Sequence, residues 1–296
     1  MPLSHLLLAL SVVVVWGTNF VVIKWGLGDF PPFLFAALRF IFSALPWVFF
    51  VRRPAVSWKR LAAAGIFTGV GQFDLLFWAM QHDISPGLAS LVVQAQVFFT
   101  IVLAIILNGE RMKVLQIGAM MLAVLGMGVV GWHGMRDPSS TITLLGLLTV
   151  LMGAFFWGCA NTLVRGAGKV DMLGFTIWSS LYAVPPLILV SLCIEGPARV
   201  SQALIHANWH GWVTVLWQSL GNTLFGFGVW NWLLARHPAA TVTPSALLVP
   251  VIGMLSSAWL LSENLADWKL IAAFLVIAGL TLNLYAGRLQ LKAKAA

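Results

Sequence analysis

The sequence predicts an all-α integral membrane protein with ten transmembrane helices, arranged as two inverted five-helix repeats. Three observations predict it. Hydrophobic residues make up 60% of the 296 and charged residues only 9%, with a mean hydropathy of +0.94. A soluble domain carries about 25% charged residues, so the surplus apolar surface calls for lipid as its solvent. Second, apolar runs near the roughly 20 residues that span a hydrocarbon core recur ten times, and they are continuous rather than alternating, which favours helices over a β-barrel. Third, the runs repeat. Trp16-Gly17 in a run ending at Lys24 returns as Trp157-Gly158 in a run ending at Arg165, an offset of 141. Glu110 and Glu263, each closing a run, are 153 apart, as are Gly126 and Gly279 in the runs that follow. Internal duplication in so apolar a chain points to a transport fold of two related halves, 1–136 and 137–296.

The elements follow in order. Span one, 6–26, lacks a basic leader and a small-residue cleavage site, so it reads as a retained span. Span two, 34–51, is short, with Pro46 as a bending point. Spans three to five are 61–80, 87–107 and 114–132. Spans six and seven are 143–164 and 173–194, the latter with Pro185 and Pro186 inside. The longest polar stretch, about 195–210, reads as a loop with an interfacial turn near Trp209. Spans eight to ten are 211–234, 243–261 (with Pro250) and 268–287. Small residues in spans five and ten (Gly118, Ala119, Ala123, Gly126; Ala272, Ala273, Ala278, Gly279) permit close approach, within the bundle or across a dimer. Trp47, Trp58, Trp132, Trp209, Trp212 and Trp268 flank span ends as interfacial anchors. Cys159 and Cys193 fit no metal or redox spacing and read as packing residues.

Charge sets the orientation. With the N-terminus inside, 12 of the 17 Lys and Arg lie on the inner side: Arg52, Arg53, Lys59, Arg60, Arg111, Lys113, Arg165, Lys169, Arg236, Arg288, Lys292 and Lys294. Three lie outside: Arg136, Arg199 and Lys269. Cations concentrate on the cytoplasmic side, so both termini are expected there. Five spans per half is an odd number, so corresponding loops face opposite sides and the repeat is inverted. The cationic loop at Glu110, Arg111 and Lys113 and the more acidic one at Glu263 and Asp267 differ as that requires. Such repeats place a site near the midplane, reached alternately from each side. The net charge of +8 gives no basic face for nucleic acid, because the cations are spread between apolar runs.

Several stretches resemble the EamA branch of the drug/metabolite transporter superfamily, over nearly the whole chain. In the first half these are Trp16-Gly17-Thr18-Asn19-Phe20, Gly87-Leu88-Ala89-Ser90-Leu91, Phe98-Phe99-Thr100 and Asn108-Gly109-Glu110-Arg111; in the second, Leu247-Leu248-Val249-Pro250-Val251 and Leu261-Ser262-Glu263-Asn264. Val92-Val93-Gln94-Ala95-Gln96 and the stretch from Ser245 to Pro250 bring it nearest to bacterial exporters of cysteine-pathway metabolites. The resemblance implies an inner-membrane exporter of amino acids or related metabolites that hydrolyses no ATP.

Candidate site residues are the polar ones that spans tolerate least. An ionised group at the bilayer centre costs roughly 2.5–3.5 kcal/mol on insertion scales. Asp74, Arg39 and Lys24 lie at comparable depth in spans three, two and one. The expectation is that Asp74 pairs with Arg39 or Lys24 near the outer mouth and gates or proton-couples transport, against snorkelling of the two cations to the interface. Asn19, Gln72, Gln94, Gln96, Asn161, Gln218 and Asn222, with the deep Trp16 and Trp78, are expected to line a substrate pathway, amides supplying donors and acceptors together. Gln218 and Asn222, four apart, share a helix face. Gln94 and Gln96, two apart, do not, so one is expected to bond a neighbouring helix. Glu110 and Glu263 read as caps or loop anchors.

No P-loop, paired catalytic carboxylates, metal-ligand cluster or catalytic triad order is present. His5, His82, His133, His206, His210 and His237 all fall at span ends or in loops. The expectation is a non-enzymatic secondary transporter without cofactor or metal, meeting a small-molecule substrate and membrane lipid, as a monomer or homodimer. A polytopic membrane enzyme and a small-solute channel are the alternatives.

Overall fold

The computed structural model describes residues 1–109, 114–136, 142–168, 170–237 and 239–295. Among these the regular secondary structure is helical apart from a single β-bridge between Ile84 and Ile142. Among the described residues, nine helices are long and apolar enough to cross a membrane. They are α1 (Leu3–Asp29), α2 (Pro32–Phe49), α3 (Trp58–His82), α4 (Pro86–Leu107), α5 (Val114–Arg136), α6 (Leu144–Arg165) and α7 (Met172–Ile194). After two further helices, α8 and α9, come α10 (Thr243–Leu261) and α11 (Asp267–Leu289). Helix α8 (Pro197–His206) replaces the loop expected there. Gly196, at φ 81°, turns the chain, and Pro197 at the first position is preset for a helix. Helix α9 runs over 209–236, long enough to cross, but it is not among the nine sufficiently apolar ones.

Local chemistry sets the boundaries. Ser57, Thr143, Asp171 and Asn208 cap α3, α6, α7 and α9, each side-chain oxygen accepting a hydrogen bond from a first-turn N–H. Glu263 behaves as the sequence suggests. Its carboxylate accepts from Ser85 Oγ and Gly87 N at the start of α4, and Lys269 Nζ lies 2.9 Å away. Glu110, Arg111, Lys113 and Lys169 lie outside the described residues.

Helix α5 packs along α11, α1 on α10, α6 on α4, α2 on α7, and α3 on both α6 and α7. Small residues make these approaches possible. A Cβ on Gly279 would lie 2.6 Å from the Ala119 carbonyl oxygen, and one on Gly126 2.8 Å from Val276. The small-residue stripes of α5 and α11 therefore meet each other within the chain. The repeated glycines play matching parts: Gly17 of α1 abuts Ile252 and Val249 of α10, and Gly158 of α6 abuts Phe99 and Thr100 of α4.

Not every packing expectation is met. Cys193 is exposed rather than packed, while Cys159 is half-buried. Trp212 also packs within the bundle, its ring meeting Phe30 at 5.4 Å and Phe42 at 6.2 Å.

The helices also depart from α geometry in matched places. Phe67–Asp74 in α3 and Trp217–Phe225 in α9 are π-helical, and Val93–Ala95 in α4 and Thr243–Leu247 opening α10 are 3₁₀. Such wide turns recur at functional positions. Here they hold the buried polar residues Gln72 and Asp74, and Gln218, Ser219, Asn222 and Thr223.

Candidate functional site

The polar core centres on Arg39, which is only 2% exposed in the middle of α2. Its Nη1 donates to Gln218 Oε1 and its Nη2 to Thr223 Oγ1, each at 3.2 Å, reaching both ends of the π turn in α9. The guanidinium carbon stands 3.5 Å from the centroid of the Phe73 ring, in cation–π contact. Ser219 Oγ donates to the Arg39 carbonyl, and Gln218 Nε2 donates to Asn19 Oδ1 at 2.8 Å, bringing in α1. Asn222 takes part through its main-chain carbonyl, which accepts from Trp16 Nε1 at 3.1 Å. Trp16 in turn packs on Phe227 and Trp230.

Thr223 and Ser219 are absent from the sequence-derived candidates. At 3.6 residues per turn, Thr223 lies about 140° round the helix from Gln218. The i→i+5 bonding of the π turn brings it back to the same side, where its hydroxyl also donates to the Gln218 carbonyl. The glycines around these turns (Gly69, Gly71, Gly221, Gly226) were the available signal.

The expected ion pair between Asp74 and Arg39 or Lys24 is not formed. Depth matches but azimuth does not: Phe73 is the residue of α3 that meets the guanidinium, and its helical neighbour points well round the axis. Asp74 is 1% exposed, and neither carboxylate oxygen has a hydrogen-bond partner. Lys24 does not pair with it either. Its Nζ donates to the carbonyls of Met80 and Gln81 at 3.0 and 3.2 Å, closing the C-terminal turn of α3, where a cation also suits the helix dipole.

Nor do the amides form one constellation. Asn161 Nδ2 donates to Gln96 Oε1 at 2.7 Å and to Thr100 Oγ1 at 3.1 Å, a bridge between α6 and α4 separate from the Arg39 network. Gln96 is thus the glutamine that bonds a neighbouring helix, as expected of one of the pair. Gln94 and Trp78 are half-buried. Gln72 is buried with its Oε1 unpartnered, and its backbone abuts Gly153 of α6. No group of three or more His, Cys, Asp or Glu able to hold a metal occurs among the described residues.

Two features frame this core. Beyond the end of α7, Glu195 accepts from the Phe33 and Leu34 amides at 2.8 and 2.9 Å and from Ser191 Oγ at 2.7 Å, capping α2. Burial pushes its carboxyl up from the ordinary glutamate value, opposed by those donors and by Arg199. A cavity of about 320 Å³ lies where α3 begins and α4 and α6 end, lined by Arg60, Leu107, Thr162, Leu163, Arg165 and Gly166.

Comparison with known proteins places this architecture. A model described as the EamA-like transporter family matches residues 3–132 and again 144–285. The chain belongs to that family. Its EamA-like relatives include a "Probable amino-acid metabolite efflux pump" of Salmonella typhimurium, 38% identical and covering 97% of each chain. A protein of the same description from Escherichia coli is 37% identical over 94% of each. A "Probable terminal-alkyne amino-acid exporter" of Streptantibioticus cattleyicolor is 26% identical over 95% of this chain and 94% of its own. A solved crystal structure shares this fold at a TM-score of 0.63 and 18% identity, covering 98% of this chain and 99% of its own.

Proposed function

We propose that this protein is an inner-membrane secondary transporter that exports amino acids or related small metabolites by alternating access. The observation that carries the reading is α9, a helix long enough to cross whose buried face is polar and tied to Arg39 of α2 and Asn19 of α1. A helix that turns polar groups into the interior of an apolar bundle lines a path for a polar solute. Its relatives' names supply the solute class and the direction of transport.

On this reading α9 is the tenth span, and the halves 1–136 and 137–296 are inverted repeats. The family model's double match, the paired packing of α1 on α10 and α6 on α4, and the paired π and 3₁₀ segments support it. Trp16, Asn19, Gln72, Trp78, Gln94, Gln218 and Asn222 serve the substrate pathway, with Gln96 and Asn161 joining α4 to α6 beside it. The cavity at Arg60 and Arg165 is the cytoplasmic entrance. Lys24 holds the outer end of α3, and Asp74 is the coupling group. A carboxylate buried among apolar groups without a donor calls for a proton or a cation, and a proton taken from outside is the one that export can use.

Counterflow in proteoliposomes, across the amino acids and with and without a pH gradient, tests both parts. Saturable counterflow of at least one amino acid is expected, with gradient-driven accumulation lost in purified, monodisperse Asp74→Asn. Flux that never saturates points to a channel, and chemical change of the solute to an enzyme. Undiminished gradient stimulation in Asp74→Asn removes the coupling role.

A further inference from the structure

We infer that Arg39 is the receptor for the carboxylate of the transported solute; the inference rests on the carrier reading above. Among the described residues, two of the five guanidinium N–H donors are engaged, and both go to neutral oxygens, Gln218 Oε1 and Thr223 Oγ1. Lys269 is paired with Glu263, but among the described residues no carboxylate neutralises Arg39. A buried guanidinium stays charged, and leaving it unpaired in a low-dielectric interior is costly. An oxyanion relieves that cost, and a planar fork with spare donors suits a carboxylate held through two bonds.

The surroundings fix the fork rather than neutralise it. Phe73 lies against the guanidinium at 3.5 Å and sets its plane. Asn19 takes the Gln218 amide hydrogen, which turns Oε1, the acceptor end, toward Arg39. The receptor is therefore built by three helices, α1, α2 and α9, with α3 supplying its wall. A solute in which the carboxylate is replaced by an amide, or removed, leaves the arginine charge unanswered. The site is accordingly selective for free acids over their amides and amines.

Two measurements test this on the purified full chain. In counterflow, each transported amino acid is compared with its carboxamide and its decarboxylated amine. The free acid is expected to exchange about 10- to 100-fold better, the range of one or two charged hydrogen bonds. In detergent, the thermal midpoint is followed with the amino acids, their amides and inorganic phosphate. Amino acids are expected to raise it in wild type, phosphate less so, and the rise to vanish in Arg39→Gln and shrink in Arg39→Lys. Acid and amide carried equally well by wild type, a comparison independent of how the variants fold, overturns the inference. A rise produced equally by phosphate makes the site one for any oxyanion and overturns the carboxylate assignment. Carboxylate-dependent stabilisation without counterflow of any amino acid leaves the receptor standing and removes the exporter reading.

Discussion

A single atom decides what several residues of this chain can be. A Cβ placed on Gly17 would lie 2.6 Å from Ile252 and 3.1 Å from the Val249 carbonyl oxygen, whereas one on Gly28 would meet nothing within 4 Å. Gly17→Val is expected to lower stability by about 1–3 kcal/mol, the usual cost of forcing extra methyl groups into a packed interior. Gly28→Ala is expected to change it by less than about 0.5 kcal/mol. Thermal unfolding in detergent reads both, and equal midpoints would show that α1 can withdraw from α10. Much at this scale was legible. Asn19, Arg39, Asp74 and Gln218 are conspicuous in the sequence because hydrocarbon penalises them, and all four are buried. Who meets whom was less so. Counting residues along a span gives depth but not azimuth, which is why Phe73 and not Asp74 stands against Arg39.

Helices in this bundle are ended by one another. Glu195 at the end of α7 caps α2, Glu263 after α10 caps α4, and Lys24 of α1 closes α3. Because burial raises the Glu195 carboxyl, the folded protein holds that proton more tightly than the unfolded chain. Its contribution to stability is present below the ordinary glutamate pKa and is lost as pH rises through the raised value. The thermal midpoint of wild type is expected to fall across that window more steeply than that of Glu195→Gln. Identical slopes would place the titration elsewhere. Span positions were legible at this scale, since apolar length is a direct readout of bilayer thickness. The π turns and α8 were not. A wide turn leaves no period of its own in hydropathy, and ten residues of mixed polarity resemble a loop unless Gly196-Pro197 is read as a helix start.

For the whole molecule, the cation count assigns a side to every loop. Ala55, between α2 and α3, and Ala198, in α8, are both exposed and belong to opposite sides on this assignment. With Cys159 and Cys193 replaced by Ala, a membrane-impermeant maleimide added to intact cells is expected to label Ala198→Cys and to spare Ala55→Cys. The reverse pattern would invert the orientation, and labelling of both would break the count of spans. The duplication was visible in the sequence as spaced Trp-Gly pairs, and the structure gives each glycine its partner helix. The Arg39 network could not be foreseen from the repeat, because it joins α1 and α2 of the first half to a single helix of the second.

That junction also bears on how the protein is made. Gln218, Ser219, Asn222 and Thr223 keep α9 from being apolar enough to enter a membrane on hydropathy alone. The side chains that satisfy it, Asn19 and Arg39, are synthesised 199 and 179 residues before Gln218. On the proposed reading of α9 as a span, α1 and α2 supply partners for its polar side chains. The cluster assigned to the solute is therefore also what would favour α9 seating against helices made long before it, because an α9 that missed Arg39 would turn unpartnered polar groups toward lipid.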